Sequence, residues 1–177
     1  MFIIDTYGAA SSYAFTRMIQ PEYGVSVEAI RNGYFAKLSG KYALANKDPN
    51  GGVAATISLS AGKTVNINKY MRVGLFAEYQ HLFYGNLYNN GIGGGVSGTL
   101  NYARFFAKGT LAALYGLSGD VGYRLLSAGN DYIVKGELGY RLNSNMSPYV
   151  FITQQRYIGN GNSLTYQGVG AGLKVSF

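Results

Sequence analysis

His81 is the only histidine in the 177 residues, so any mechanism needing an imidazole base would have to use it. A nucleophilic triad would set it beside a serine and a carboxylate. Counted in steps of two, however, it falls with Val73, Leu75, Ala77, Tyr79 and Phe83, and reads as a polar aromatic residue near the end of a strand. Gly93-Gly94-Gly95-Val96-Ser97-Gly98 matches G-x-G-x-x-G, but a dinucleotide site needs a helix after those glycines. Thr99 to Tyr102 keeps a period of two instead. Glycines that face a crowded interior or loosen a strand account for this segment, and equally for Gly168, Gly170 and Gly172. Cysteine is absent, which excludes disulfides and thiolate metal sites. The fifteen Lys and Arg give a net charge of +7 but stand singly, without the basic cluster expected of a nucleic-acid partner. We therefore expect no enzyme activity, cofactor, metal or nucleic acid.

The informative chemistry is a set of charges recurring on one face of alternating segments. In Asp131 to Leu142, Tyr132, Val134, Gly136, Leu138, Tyr140 and Leu142 oppose Asp131, Ile133, Lys135, Glu137, Gly139 and Arg141. The first face is apolar and the second carries the charge, as in a strand with hydrocarbon on one side and a polar interior on the other. The same count elsewhere assigns Glu28, Lys37, Lys41, Arg72, Glu78, Asp120, Arg124, Lys135, Glu137, Arg141 and Lys174 to the polar face, with Arg156 joining if its strand faces the same way. Such charges must pair or stay hydrated. They form either a salt-bridged filling or a narrow lumen with a basic excess.

The elements carrying these faces are strands. About nine segments alternate clearly from Val25 onward, while residues 1–20 are weakly patterned and read as a first strand, a short plug or a frayed terminus. Arg31-Asn32-Gly33, Ile67-Asn68-Lys69 and Asn143 to Pro148 read as tight polar turns. Ala45 to Gly52, Gly85 to Gly91, Ser127 to Asp131 and Gly159 to Ser163 read as longer loops at the other end. Tyr84, Tyr123, Tyr132, Tyr140, Tyr149 and Tyr157, near strand ends, suit an interfacial belt.

Charged residues make up only 13%, about half the share in ordinary soluble domains, while Gly reaches 26 and Tyr 17. A spanning helix needs about 18 or more consecutive apolar residues, and the longest candidate, around Thr110 to Leu117, is far shorter. The remaining way to satisfy every backbone group in lipid is a closed barrel. We expect one all-β domain over residues 1–177, an antiparallel up-and-down transmembrane barrel of about 8–10 strands, with ten favoured because bacterial single-chain barrels hold an even number.

Gly172-Leu173-Lys174-Val175-Ser176-Phe177 resembles the terminal β-signal of bacterial outer-membrane proteins, with Gly172, Val175 and Phe177 in the signal positions. The resemblance implies insertion by the barrel-assembly machinery, closure of the last strand on the first, residence in the outer membrane, and lipid and lipopolysaccharide as partners. Resemblance to the lipid A deacylase barrels is poor, because Phe83 stands where their His-x-Ser motif has its nucleophile. The paired acidic residues of omptin-like proteases are not evident either. Met1-Phe2-Ile3-Ile4-Asp5 lacks the basic, apolar and small-residue regions of a secretory signal, so the chain reads as a mature form. The expected function is a small passive pore or a structural membrane anchor. The alternatives are surface recognition by the outer loops, as an adhesin or phage receptor, and a soluble or virion β-protein; the oligomeric state is left open.

Overall fold

The computed structural model describes residues 1–13, 19–44, 53–84, 87–119, 130–159 and 162–177. Ten strands run β1 Phe2–Tyr13, β2 Ile19–Arg31, β3 Tyr34–Leu44, β4 Val53–Asn66, β5 Met71–Tyr84, β6 Leu87–Tyr102, β7 Phe105–Gly119, β8 Asn130–Tyr140, β9 Met146–Gly159 and β10 Asn162–Ser176. Each pairs antiparallel with its neighbours in sequence, and β1 pairs with β10, closing the barrel. The strand count matches the favoured expectation. Asp120, Tyr123 and Arg124 lie outside the described residues.

The side-chain alternation follows directly from the strand pleat. In β8, Asp131 and Glu137 are buried, while Val134 and Leu138 are 52% and 63% exposed. Leu38, Leu59, Leu75, Leu111, Ile152 and Val169 are exposed in the same way around the wall. An apolar exterior continued round the molecule far exceeds the patches that water-soluble monomers tolerate. Hydrocarbon is the solvent that satisfies it.

One end of the barrel carries both termini and tight turns with local hydrogen bonds. Asn32 and Gly33 have φ of 53° and 80°, the left-handed pair that a two-residue hairpin requires. Asn68 Oδ1 accepts from the N–H groups of Tyr70 and Met71 at 2.8 Å each, and Asn143 Oδ1 does the same for Asn145 and Met146 at 2.8 Å. The turn at Ala103-Arg104 was not anticipated, because alanine is a rare choice for its φ of 51°.

The N-terminal segment takes one of the alternatives left open for it, and two further boundaries differ from expectation. Strand β1 pairs fully with β2 and β10. Its period is hard to read because Thr6, Gly8 and Ala10 stand on the exterior while Tyr7 and Ala9 face inward. Residues 87–91, expected in a loop, belong to β6, which extends beyond a register shift at Asn90/Gly91. Strand β8 ends at Tyr140, so Arg141 lies outside it.

Candidate functional site in the barrel interior

The inward face of each strand forms the site. Glu28, Lys37, Arg72, Glu78, Lys135, Glu137 and Lys174 line a chamber of about 280 Å³ toward the turn end. Lys41 lines a second chamber of about 160 Å³ toward the loop end, with Glu22, Gln80, Gln155 and Tyr166. Arg141 lines neither chamber: it is exposed in the turn after β8, where its N–H donates to the Arg104 carbonyl and its guanidinium bonds the side chain of Asn101. Arg156 is exposed on the exterior, since Phe151, Thr153 and Gln155 take the inward positions of β9. Sequence reasoning missed Asp5, Glu22 and Lys108, all of which face the interior. Carrying the outward parity of Leu111 back to Phe105 would have turned Lys108 inward.

This inventory changes the electrostatic picture. Among the described residues, Lys37, Lys41, Arg72, Lys108, Lys135 and Lys174 face inward, as do Asp5, Glu22, Glu28, Glu78, Asp131 and Glu137. Among these described residues the inward charges balance, six against six. Glu28 stands directly across the ladder from Lys37, Asp5 from Lys174, and Glu137 from Lys108. Glu137 is the centre of the set, 2.8 Å from Lys135 Nζ and also bound to Lys174 Nζ.

The interior also holds an aromatic filling that the sequence did not announce. Tyr149, assigned above to an interfacial belt, is 3% exposed inside the barrel and packs with Phe106 and Phe151 against Tyr7 and Ala9. Register explains how these rings fit. Running from β2 through β1, β10, β9 and β8 to β7, the laterally paired residues are Gly24, Tyr7, Gly172, Tyr149, Gly139 and Phe106. Glycine and ring alternate, so each ring lies over a neighbour with no side chain. A Cβ at Gly24 would stand 2.1 Å from the Tyr7 ring, and one at Gly139 would stand 2.2 Å from that of Phe106. Gly62 and Gly95 flank Phe76 in the same manner on the opposite wall.

The polar ends of these rings are held by carboxylates, and their faces by ammonium groups. Tyr149 donates to Asp5 at 2.7 Å, while Tyr7 and Tyr166 donate to Glu22 at 3.1 and 2.7 Å. Lys135 Nζ lies 4.7 Å from the centre of the Phe151 ring, Lys174 Nζ 4.4 Å from that of Tyr149, and Lys41 Nζ 4.3 Å from that of Tyr166. Each cation thus meets a ring face and a carboxylate, which reduces the cost of removing it from bulk water.

No family model matches the chain, and the search of curated proteins finds no match. Among solved structures it is similar to the outer membrane protease OmpT from Escherichia coli, at 13% identity over 99% of this chain and 93% of that one, with a TM-score of 0.66. It is similar to the NanC porin at 14% identity over 98% and 100% of the two chains, TM-score 0.62. The KdgM porin matches at 14% identity over 99% of each chain, TM-score 0.50. The chain has the fold of a bacterial outer-membrane β-barrel.

In this outer-membrane-type barrel, Gly172 sits in the glycine–aromatic row, between Tyr7 and Tyr149. Val175 pairs with Ile4 and Met146, and Phe177 exchanges backbone hydrogen bonds with Phe2 at 2.9 and 3.1 Å. His81 is on the exterior face of β5, half-buried against Phe83 and Tyr88, with Nδ1 bonded to Asn90. Gly93 to Gly98 lie within β6, where a Cβ at Gly93 would stand 2.0 Å from the carbonyl oxygen of Ala113. Glycine permits that close approach of neighbouring strands.

Proposed function

We propose that this chain is an integral barrel of the bacterial outer membrane that serves as a structural anchor, with its lumen filled against solutes. The observation carrying the proposal is the row of Tyr7, Tyr149 and Phe106, clamped by Asp5, Lys135, Lys174 and Glu137, with small chambers beside it among the described residues. Both chambers, about 280 and 160 Å³, fall below the roughly 300–1,000 Å³ typical of small-molecule pockets. The reading includes no enzyme activity: Asp5, Glu22 and Glu137 are each engaged by tyrosine hydroxyls or ammonium groups. Gly172, Val175 and Phe177 are the residues through which the assembly machinery would engage the last strand. In planar bilayers the purified barrel is expected to give no sustained conductance steps, and liposomes containing it should not swell in sugars. Stable steps with sugar entry would overturn the filled lumen.

A narrow ion path is the second reading. It is favoured by the walls that both chambers share, at Asp5, Ser26, Lys37, Ser39, Ser58 and Lys135. Small currents altered in both size and ion preference by Lys135→Glu, without sugar entry, would support it.

A further inference from the structure

We propose that the turn-end mouth of the larger chamber binds a phosphate group, held around Thr99 by Arg72, Lys108 and Arg141. The inference rests on the filled-lumen reading above and gives that lumen a ligand. The described inward charges balance in sum, but they are not spread evenly along the barrel. The four tight turns hold Arg31, Lys69, Arg104 and Arg141 and no Asp or Glu. Arg72 and Lys108 line the chamber just inside those turns. An approaching anion therefore meets positive charge at this end first.

The ladder brings three cations to one place. Arg72 on β5 and Lys108 on β7 both pair with Thr99 on β6, which sets their Cα atoms two strand spacings, about 10 Å, apart. Two long side chains can meet a single oxyanion across that gap. Arg141 comes to the same spot from the turn after β8, because its guanidinium bonds the Asn101 side chain. Asn101 stands two residues beyond Thr99 on the inward side of β6, opposite the exposed Leu100 and Tyr102. The Arg141 N–H also donates to the Arg104 carbonyl at 2.7 Å, which holds the two turns together. Arg72 is steadied by its Nε, which donates to Asn66 at 3.1 Å. Both arginines are exposed, so solvent reaches the site from the turn end.

No carboxylate neutralises the three. Among the described residues none lies within ion-pair distance of Arg72, Lys108 or Arg141. Glu137 faces Lys108 across the ladder but is held by Lys135 and Lys174. Of the chamber's other acids, Asp5 accepts from Tyr149, Glu28 faces Lys37, and Glu78 is six residues further in than Arg72. The hydroxyls of Ser97, Thr99 and Thr110 add donors on the same wall. A phosphate group offers charge and acceptor oxygens in several directions, and a guanidinium meets two of them in a fork. The chamber's 280 Å³ holds such a group with several waters of about 30 Å³ each.

The test titrates inorganic phosphate into the full barrel in maltoside detergent by calorimetry at constant ionic strength. One saturable site per chain is expected, with none for sodium chloride. Arg72→Gln and Lys108→Met should each weaken binding about tenfold, the loss of one charge-assisted hydrogen bond. Thr99→Val, which leaves every charge in place, should weaken it about fivefold and serves if the charge variants misfold. Arg31→Gln, on the same rim but outside the chamber lining, should leave it unchanged. Repeating the titration in phosphatidylglycerol nanodiscs separates two sources of the group: persistence marks a soluble phosphate, and loss marks a lipid head group. No saturable binding by the folded wild type would overturn the site, as would Arg31→Gln weakening binding as much as Arg72→Gln. Either result leaves the anchor reading intact if the bilayer stays silent. A sustained phosphate current would instead overturn the filled lumen and leave the site standing.

Discussion

Replacing Glu137 by Gln should destabilise the lipid-inserted barrel by about 3 kcal/mol. Glu137 is 7% exposed and directly binds two ammonium groups, with Lys108 directly opposite in the ladder. Removing one partner of a buried ion pair costs about 3–5 kcal/mol, because the remaining charge is left without compensation. The low end applies here, since the Lys135 and Lys174 side chains are 25% and 20% exposed and border the larger chamber, where water can partly rehydrate them. The chain has no tryptophan, so unfolding in vesicles is best followed by far-UV circular dichroism across a urea titration. With a slope of about 2 kcal/mol per molar, the midpoint should fall by about 1.5 M without a change of slope. Adding Lys174→Met to Glu137→Gln should restore part of the loss, because one stranded cation is then removed. A midpoint within about 0.3 M of wild type for Glu137→Gln would refute the role of this carboxylate as the centre of the interior charge set.

Gly139→Ala should cost about 1–3 kcal/mol by overpacking, because the new methyl would meet the Phe106 ring at 2.2 Å and the Pro148 carbonyl oxygen at 2.9 Å; urea titration reads it. Gly109→Ala, with nothing within 4 Å of its Cβ, should stay within about 0.5 kcal/mol in the same assay. Tyr149→Ala should cost about 3–5 kcal/mol in the same urea titration, because it deletes a buried ring and leaves the buried Asp5 carboxylate without its hydroxyl donor. Phe177→Ala removes a ring that is 70% exposed, so it should slow assembly in cells while leaving the urea midpoint of the refolded barrel nearly unchanged.

Most of the barrel was legible in the sequence because a strand buried on one side writes its burial into every second residue. Val134, Leu138, Lys135 and Glu137 are the clearest example; such segments number about nine, and the even count of bacterial single-chain barrels led to ten. Legibility failed where the two faces do not differ in polarity. Tyr7 and Ala9 point inward while Thr6 and Gly8 point outward, so β1 carries no readable period. It failed again for Tyr149, since the same residue type serves an interfacial belt and a packed lumen. What distinguishes the two is lateral register, which brings Gly172 and Gly139 to either side of that ring. Residues 144 positions apart, such as Tyr149 and Asp5, meet only when the barrel closes, and no local pattern encodes that. The expected basic excess rested on an inward list that lacked Asp5, Glu22 and Asp131; with them and Lys108 the described inward charges balance.

The account depends most on which solvent meets each face of a strand, and the absence of cysteine makes a direct measurement available. Single cysteines placed along β8 from Tyr132 to Gly139 can carry a nitroxide, and collisions with oxygen dissolved in lipid or with a water-soluble nickel chelate can be read by electron paramagnetic resonance in liposomes. High oxygen accessibility is predicted at Tyr132, Val134 and Leu138, and low oxygen accessibility at Ile133, Lys135 and Glu137, repeating every second residue. Labels at Val134 and Leu138 shielded from lipid oxygen, or in contact with the nickel chelate, would contradict it.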